Sequence, residues 1–302
     1  MKAIEFHLSR SSMLFGGFEA NLKEAEFVVF GVPFDATSSY RPGSRFAPST
    51  IRNAALNIET FSLRTKLDAS ELKIHDAGDL TNTPSVSSTI RGVTEVVREI
   101  LSLGKVPVVL GGEHTLTFGA VEAIEGNRGV IIFDAHLDLR DQYPIGIKWS
   151  HATVTRRIVE SIGSRNVVCV GTRAFCKEEY EYANENKLIY ITSHEVVEEG
   201  ARKTGSKLNR IIDELGLEKI WLSIDLDVLD PSAAPGVANP EPEGLTVKQL
   251  LDIISEVVSI KVVGFDIVEA APGYDRGITA IQAAKIALET CCLIHKARLS
   301  TS

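Results

Sequence analysis

Cysteine is scarce in this chain and follows no pattern. Its four copies, Cys169, Cys176, Cys291 and Cys292, fall in no CxxC or metal-type spacing, which argues against a structural zinc cluster. Buried free thiols in a reducing compartment are expected instead. A positive charge excess is also missing. With 32 Lys and Arg against 40 Asp and Glu, the formal charge is -8. That balance argues against a nucleic-acid partner and suits a cationic small molecule. No apolar run approaches the length of a bilayer span. The segment Met1-Lys-Ala-Ile-Glu-Phe-His7 has no apolar signal region, so no membrane partner and a cytoplasmic location are expected. Linkers, low-complexity tracts and internal repeats are absent as well, which points to one domain over 1–302. At 302 residues and 44% hydrophobic content, the chain can bury a large core.

What is present is an alternation of apolar, β-branched runs with amphipathic ones. Strands are predicted over 27–34, 72–76, 106–110, 130–133, 167–171, 188–191, 220–224 and 262–267. Helices are predicted over 89–103, 115–124, 152–162, 208–215, 247–258 and 279–297. Thr246 with Gln249 forms a capping-box signature, and Gly104 and Gly163 stand where left-handed helix ends would fall. Such alternation predicts an α/β fold with a parallel sheet covered on both faces. The uneven strand spacing favours an open sheet over a barrel.

In open α/β sheets, sites form at the carboxyl ends of the strands. Several predicted strand ends carry polar residues suited to one site. Val106 to Leu110 leads into Gly111-Gly-Glu-His114. Val130 to Phe133 leads into Asp134-Ala-His136-Leu-Asp138, and Ile220 to Ile224 into Asp225-Leu-Asp227. Ligands two residues apart share a face of an extended chain. Acids and histidines alternating at the end of an apolar strand are costly to bury unless paired or metal-bound. His114, Asp134, His136, Asp138, Asp225 and Asp227 therefore offer a ligand set for two divalent metals. Imidazole with oxygen ligands suits manganese or similar mid-row ions. Glu269 falls at a fourth strand end. The segment His75-Asp-Ala-Gly-Asp79 reads as a strand and turn of structural kind, and Asp230 before Pro231 as a loop anchor. His7, His194 and His295 are assigned nothing.

These segments resemble the ureohydrolase family of arginases and agmatinases, most of all agmatinase. The resemblance rests on Gly111-Gly-Glu-His-Thr115, Asp134 to Asp138, Ser223-Ile-Asp-Leu-Asp-Val-Leu-Asp-Pro231 and Gly264-Phe-Asp-Ile-Val-Glu269. Gly31-Val-Pro-Phe-Asp35 and Arg41-Pro-Gly-Ser-Arg-Phe-Ala-Pro48 are similar to the family's N-terminal segments. It implies a three-layer α/β/α fold with a mostly parallel eight-stranded sheet and a homo-oligomer, trimer or hexamer. It also implies two Mn(2+) per subunit. His114, Asp134, Asp138 and Asp225 would hold one ion, and Asp134, His136, Asp225 and Asp227 the other. His151 matches the family's proton-transfer histidine, although Ala152 stands where glycine is common. Glu269 matches the carboxylate that orients the guanidinium.

The chemistry accounts for these parts. A guanidinium keeps its proton to a pKa above ~12 and is a poor electrophile. Divalent ions bring the pKa of a water to about 7 and so supply a local nucleophile. The leaving amine then needs a proton, the duty assigned to His151. For the substrate, residues 139–149 lack the polar Asn/Ser run that arginases use for the α-carboxylate and α-amino groups. Agmatine is therefore expected, cleaved to putrescine and urea, with N1-aminopropylagmatine next and arginine or another guanidino acid after it. Two other classes remain open: a zinc deacetylase-like enzyme, which would usually carry a tandem His-His pair, and a silent binding homologue.

Overall fold

Continuous apolar strands become buried on both faces because helices cover both sides of the sheet they form. The computed structural model describes residues 2–81 and 83–300. Its strands are β1 (Leu8–Ser9), β2 (Phe27–Gly31), β3 (Phe61–Ser62), β4 (Leu67–Asp68), β5 (Ile74–Leu80), β6 (Val106–Leu110), β7 (Arg128–Phe133), β8 (Val167–Thr172), β9 (Ile189–Thr192), β10 (Lys219–Asp225) and β11 (Val262–Val268). Nine of them form one sheet in the order β1-β5-β2-β6-β11-β10-β7-β8-β9. The pairing is parallel throughout except at β1, which runs antiparallel to β5.

The eight expected strands are thus the eight parallel ones, and the sheet gains a ninth at one edge. Two residues, Leu8 and Ser9, are too short to leave a sequence period. The strands sort side chains into two cores by alternation. Phe27, Val29, Val106, Val108, Ile131 and Phe133 pack on one face. Their neighbours Val28, Phe30, Val109, Val130 and Ile132 pack on the other. Helices Ala47–Ala55, Ala201–Glu214, Val247–Val257 and Ile278–Leu299 cover the first core. Val86–Ser102, Leu116–Glu122 and Val154–Ile162 cover the second. The architecture is therefore the expected three-layer α/β/α fold.

The Thr246–Gln249 capping box forms as expected, and Gly104 and Gly163 take φ of 72° and 86°. Three of the four cysteines are buried free thiols, whereas Cys176 is only partly buried. The membrane reading needs one correction. Helix Ile278–Leu299 is long and apolar enough to cross a bilayer by length and composition, but its most apolar window is 72% buried within the protein. It is a core helix, apolar all round because it is surrounded.

A second correction concerns residues 75–79. No turn interrupts them, because β5 runs on to Leu80. Asp76 was expected to end the strand and Asp79 to lie in the turn after it, yet both pair with Arg52, whose guanidinium is fully buried and reaches Asp76 at 2.7 Å and Asp79 at 2.6 Å. Their structural role holds. Arg52→Met leaves the buried Asp76 carboxylate without its partner, which costs about 3–5 kcal/mol. The expected result is a clear fall in the urea unfolding midpoint at unchanged slope; an unchanged midpoint would show the pair to be dispensable.

Candidate metal centre and active site

The four central strands β6, β11, β10 and β7 lie side by side, and their carboxyl ends supply the predicted site residues other than His151. After β6, the turn at Gly111 and Gly112 docks against its neighbours: Gly111 N donates to Ile267 O at 2.7 Å and Glu113 N to Phe34 O at 2.8 Å. A Cβ on Gly112 would stand 1.9 Å from the Phe34 carbonyl oxygen, so only glycine allows this approach. The turn delivers His114 to the sheet edge. At the end of β10, Asp225 Oδ1 accepts from Asp227 N at 2.9 Å, and Asp227 Oδ1 accepts from Ala135 N at 3.0 Å. The β7 and β10 ends are thereby stitched together. Asp138 and Glu269 both take left-handed backbone, φ 51° and 63°. Strain of that kind, of order 1–3 kcal/mol per residue, is held in place by surrounding structure and concentrates at functional sites.

The six predicted ligands converge. His114 Nδ1 lies 3.0 Å from Asp134 Oδ2, 3.4 Å from Asp138 Oδ2 and 3.3 Å from Asp225 Oδ2. His136 Nδ1 lies 3.4 Å from Asp134 Oδ1 and 3.0 Å from Asp227 Oδ2. Asp134 therefore turns one oxygen to each imidazole. Two groupings stand out, His114 with Asp134 and Asp225, and Asp134 with His136 and Asp227. His114 Nδ1 and Asp134 Oδ2 are buried and make no aligned hydrogen bond. Donor atoms about 3 Å apart that do not bond to one another fit two ligands at ~2.1 Å on one ion.

The tautomer of His114 agrees. Trp221 Nε1, Ser223 Oγ and Thr117 Oγ1 all donate to buried Asp266, at 2.6, 2.7 and 3.0 Å. With its proton committed, Ser223 Oγ accepts from His114 Nε2 at 3.0 Å, which leaves Nδ1 to offer its lone pair to the cluster. Protonation tells the same story. Burial opposes charge on both imidazoles, yet Asp134, Asp138 and Asp225 hold His114 protonated well above its usual range. Asp227 and Asp134 do the same for His136. Burial and the neighbouring Asp134 push Asp138 up to about 7. Burial, Asp227 and Asp134 push Asp225 well above the carboxylate range. A cluster that gathers protons against burial is one in which cations can take their place. The residues fit a divalent pair.

His114, His136, Asp138, Asp225 and Asp227 line a cavity of about 380 Å³ together with Ser39, His151 and Glu269, and Asp134 lies buried behind them. His151 opens the short helical turn His151–Thr153 and is 6% exposed. Its Nε2 meets Ser39 Oγ at 3.1 Å, and burial with the nearby imidazoles lowers its pKa to about 4. The Glu269 carboxyl accepts from His114 N at 2.6 Å through Oε1. Its Oε2 is buried with no partner, and burial and Glu113 push its pKa well up. All eight predicted site residues are thus brought together. Asp230 stays outside as an anchor, accepting from Ser232 N and Gly244 N. His7, His194 and His295 pair with Glu95, Glu243 and Glu26, away from the cavity.

Several neighbours were not singled out by sequence reasoning. Ser223 and Asp266 stood inside recognised motifs, and their signal was polarity within fully buried strands. Arg173 donates to the carbonyls of Asp227, Glu241 and Pro242, at 2.8, 2.8 and 2.7 Å, joining two cavity loops. Thr37, Ser39 and Glu241 come from loops and carried no local signal.

Residues 25–292 match the arginase family over nearly the whole fold. The chain belongs to the arginase family. It is 37% identical to the agmatinase of Bacillus subtilis, over 95% of this chain and 98% of that one. The N(1)-aminopropylagmatine ureohydrolase of Thermococcus kodakarensis is also 37% identical, over 87% and 89%. Among solved structures, the agmatine ureohydrolase of Thermoplasma volcanium superposes with a TM-score of 0.89 at 36% identity, covering 97% of this chain and 98% of that one. The ureohydrolase resemblance read from the motifs holds, and the chain is an enzyme of that class, most like the agmatinases. Membership implies a binuclear metal centre, for which the converging ligands are the candidates.

Proposed function

We propose that the chain acts as a single ureohydrolase domain over 1–302 and hydrolyses agmatine to putrescine and urea with two Mn(2+) per subunit. His114, Asp138 and the shared Asp134 and Asp225 would hold one ion. His136, Asp227 and the same shared pair would hold the other. Bound there, the ions would acidify a water to a pKa of about 7 and so provide a nucleophile at neutral pH.

The remaining residues do the rest. Glu269, with one unpartnered buried oxygen facing the cavity, binds and orients the guanidinium. Its backbone-held Oε1 keeps the carboxyl from rotating. The carbon–oxygen bond forms as water adds, and the carbon–nitrogen bond to the alkyl amine breaks. His151, neutral at rest because of its lowered pKa, takes up the proton that the water releases. It then passes that proton from Nε2 to the departing amine, which also takes up the remaining hydroxyl proton as the urea carbonyl forms and so leaves as an ammonium.

The observation that supports a diamine-type tail is the charge of the cavity wall. Beyond the metal-ligand candidates Asp138, Asp225 and Asp227 and the guanidinium partner Glu269, the charged Lys, Arg, Asp and Glu residues lining it are Glu179, Glu241 and Arg140. The Arg140 guanidinium lies 3.7 Å from Glu179 and 4.8 Å from the Tyr143 ring centre, so its charge is largely engaged. A substrate with a second positive charge gains from such a wall, and an α-carboxylate loses. Glu241 is the outermost of these acids and still half exposed, so a longer polyamine tail could extend past it. That, with the T. kodakarensis relative, keeps N1-aminopropylagmatine as the second reading. A homo-oligomer remains part of the proposal.

The test is urea release from the manganese-loaded enzyme across agmatine, N1-aminopropylagmatine, arginine, guanidinobutyrate and formiminoglutamate. Agmatine should exceed arginine in kcat/KM by orders of magnitude. Comparable values for the two would remove the agmatine assignment and leave a broader guanidino hydrolase.

A further inference from the structure

Glu113 precedes a metal-ligand candidate but points elsewhere. It is fully buried and is not among the cavity-lining side chains. Its two oxygens accept from Thr37 N at 2.7 Å, Thr37 Oγ1 at 2.6 Å and Thr115 Oγ1 at 2.6 Å. The Thr37 hydroxyl has one proton, and Glu113 takes it. Toward His151 that oxygen can therefore only accept. It receives His151 N at 3.1 Å and faces His151 Nδ1 at 3.4 Å. The loop that carries Thr37 and Ser39 is itself pinned, because Asp35 accepts from Gly43 N at 2.8 Å.

We propose that Glu113 and Thr37 are positioning residues for His151: their hydrogen-bond chain holds the imidazole as its Nδ1–H tautomer and leaves Nε2, which meets Ser39 Oγ at 3.1 Å, as the unprotonated nitrogen that exchanges protons in the cavity. The inference rests on the reading of His151 as the proton-transfer residue. A hydroxyl whose proton was free to turn toward Nδ1 would stabilise the opposite tautomer, with Nε2 protonated in the resting enzyme and unable to take the proton from water. The carboxylate sets the direction of the whole chain. Glu113→Gln breaks that logic without changing shape. Its amide must place an NH2 against either the Thr37 backbone N–H or the two threonine hydroxyls, so one bond is lost or the Thr37 hydroxyl reverses.

The experiment compares manganese-loaded wild type with Thr37→Val, Thr37→Ser, Glu113→Gln, His151→Asn and the Thr37→Val/His151→Asn double variant, by agmatine-dependent urea release and bound manganese. Thr37→Val and Glu113→Gln should lower kcat about 10- to 100-fold, with KM within about twofold and metal content unchanged. Thr37→Ser, which keeps the hydroxyl, should recover most of kcat. In the His151→Asn background, Thr37→Val should cost nothing more. Wild-type kcat in Thr37→Val beside a slow His151→Asn overturns the relay and leaves His151 in place, as does a fully additive double variant. Wild-type kcat in His151→Asn overturns the proton-transfer reading and the relay with it.

Discussion

Asp134→Ala should leave the purified protein with less than one manganese per subunit and reduce urea release by at least about a thousandfold, the several kcal/mol that metal ions contribute to such reactions. The reason is positional. Asp134 is the one carboxylate whose oxygens face both imidazoles, Oδ2 toward His114 and Oδ1 toward His136. Removing it takes a donor from both metal positions at once. Asp134 Oδ1 also accepts from His136 N at 2.6 Å, so circular dichroism is needed to show that the variant still folds. Asp134→Asn keeps the shape and removes the charge, and should lose most of the metal as well. Two ions per subunit and near-normal turnover in a folded Asp134→Ala protein would dismiss the bridging role.

A second large effect is expected at Glu269. Glu269→Gln is nearly isosteric, and its carbonyl can still accept from His114 N. At the other position, however, an NH2 would face the guanidinium donors in place of a carboxylate oxygen. Losing a buried charge partner in this way costs about 2–5 kcal/mol, roughly 30- to 5,000-fold in kcat/KM. Manganese content should stay at the wild-type level, because Glu269 is not among the ligand candidates. A change under threefold in kcat/KM would mean that the guanidinium is held elsewhere. Loss of manganese would mean that Glu269 supports the metals rather than the substrate.

Much of this was legible in the chain because burial leaves strong traces. The run Val106–Leu110 is apolar at every position, lies in mid-sheet, and was bounded to the residue. Acids placed directly after such runs, as at Asp134 and Asp225, have few explanations other than a site, and the family motifs narrowed those to one chemistry. Elements with little burial were lost. Helices Lys177–Glu185 and Ser193–Glu199 bury only two residues each and show almost no period. Helix Ala47–Ala55 carries a proline in its first turn and was not among the predicted helices. Strand β5 was cut short at Asp76 because Gly78 and Asp79 resemble turn formers until Arg52, 24 and 27 residues before Asp76 and Asp79, is seen pairing with both acids.

The candidate site divides in the same way. His114, Asp134, His136, Asp138, Asp225, Asp227 and Glu269 sit at strand ends, where topology predicts convergence. Ser39 and Glu241 reach the cavity, and Thr37 reaches His151, on loops whose paths depend on distant anchors, such as Asp35 on Gly43 and Arg173 on Glu241. No local pattern encodes those paths. The same loops shape the outer part of the cavity.

The most direct test is anomalous diffraction at the manganese edge from crystals of the manganese-loaded protein. Two peaks are predicted in the cavity, one against His114 and Asp138 and the other against His136 and Asp227, with Asp134 and Asp225 touching both. A single peak, or peaks bound by other residues, would contradict the two-metal centre on which the proposed chemistry depends.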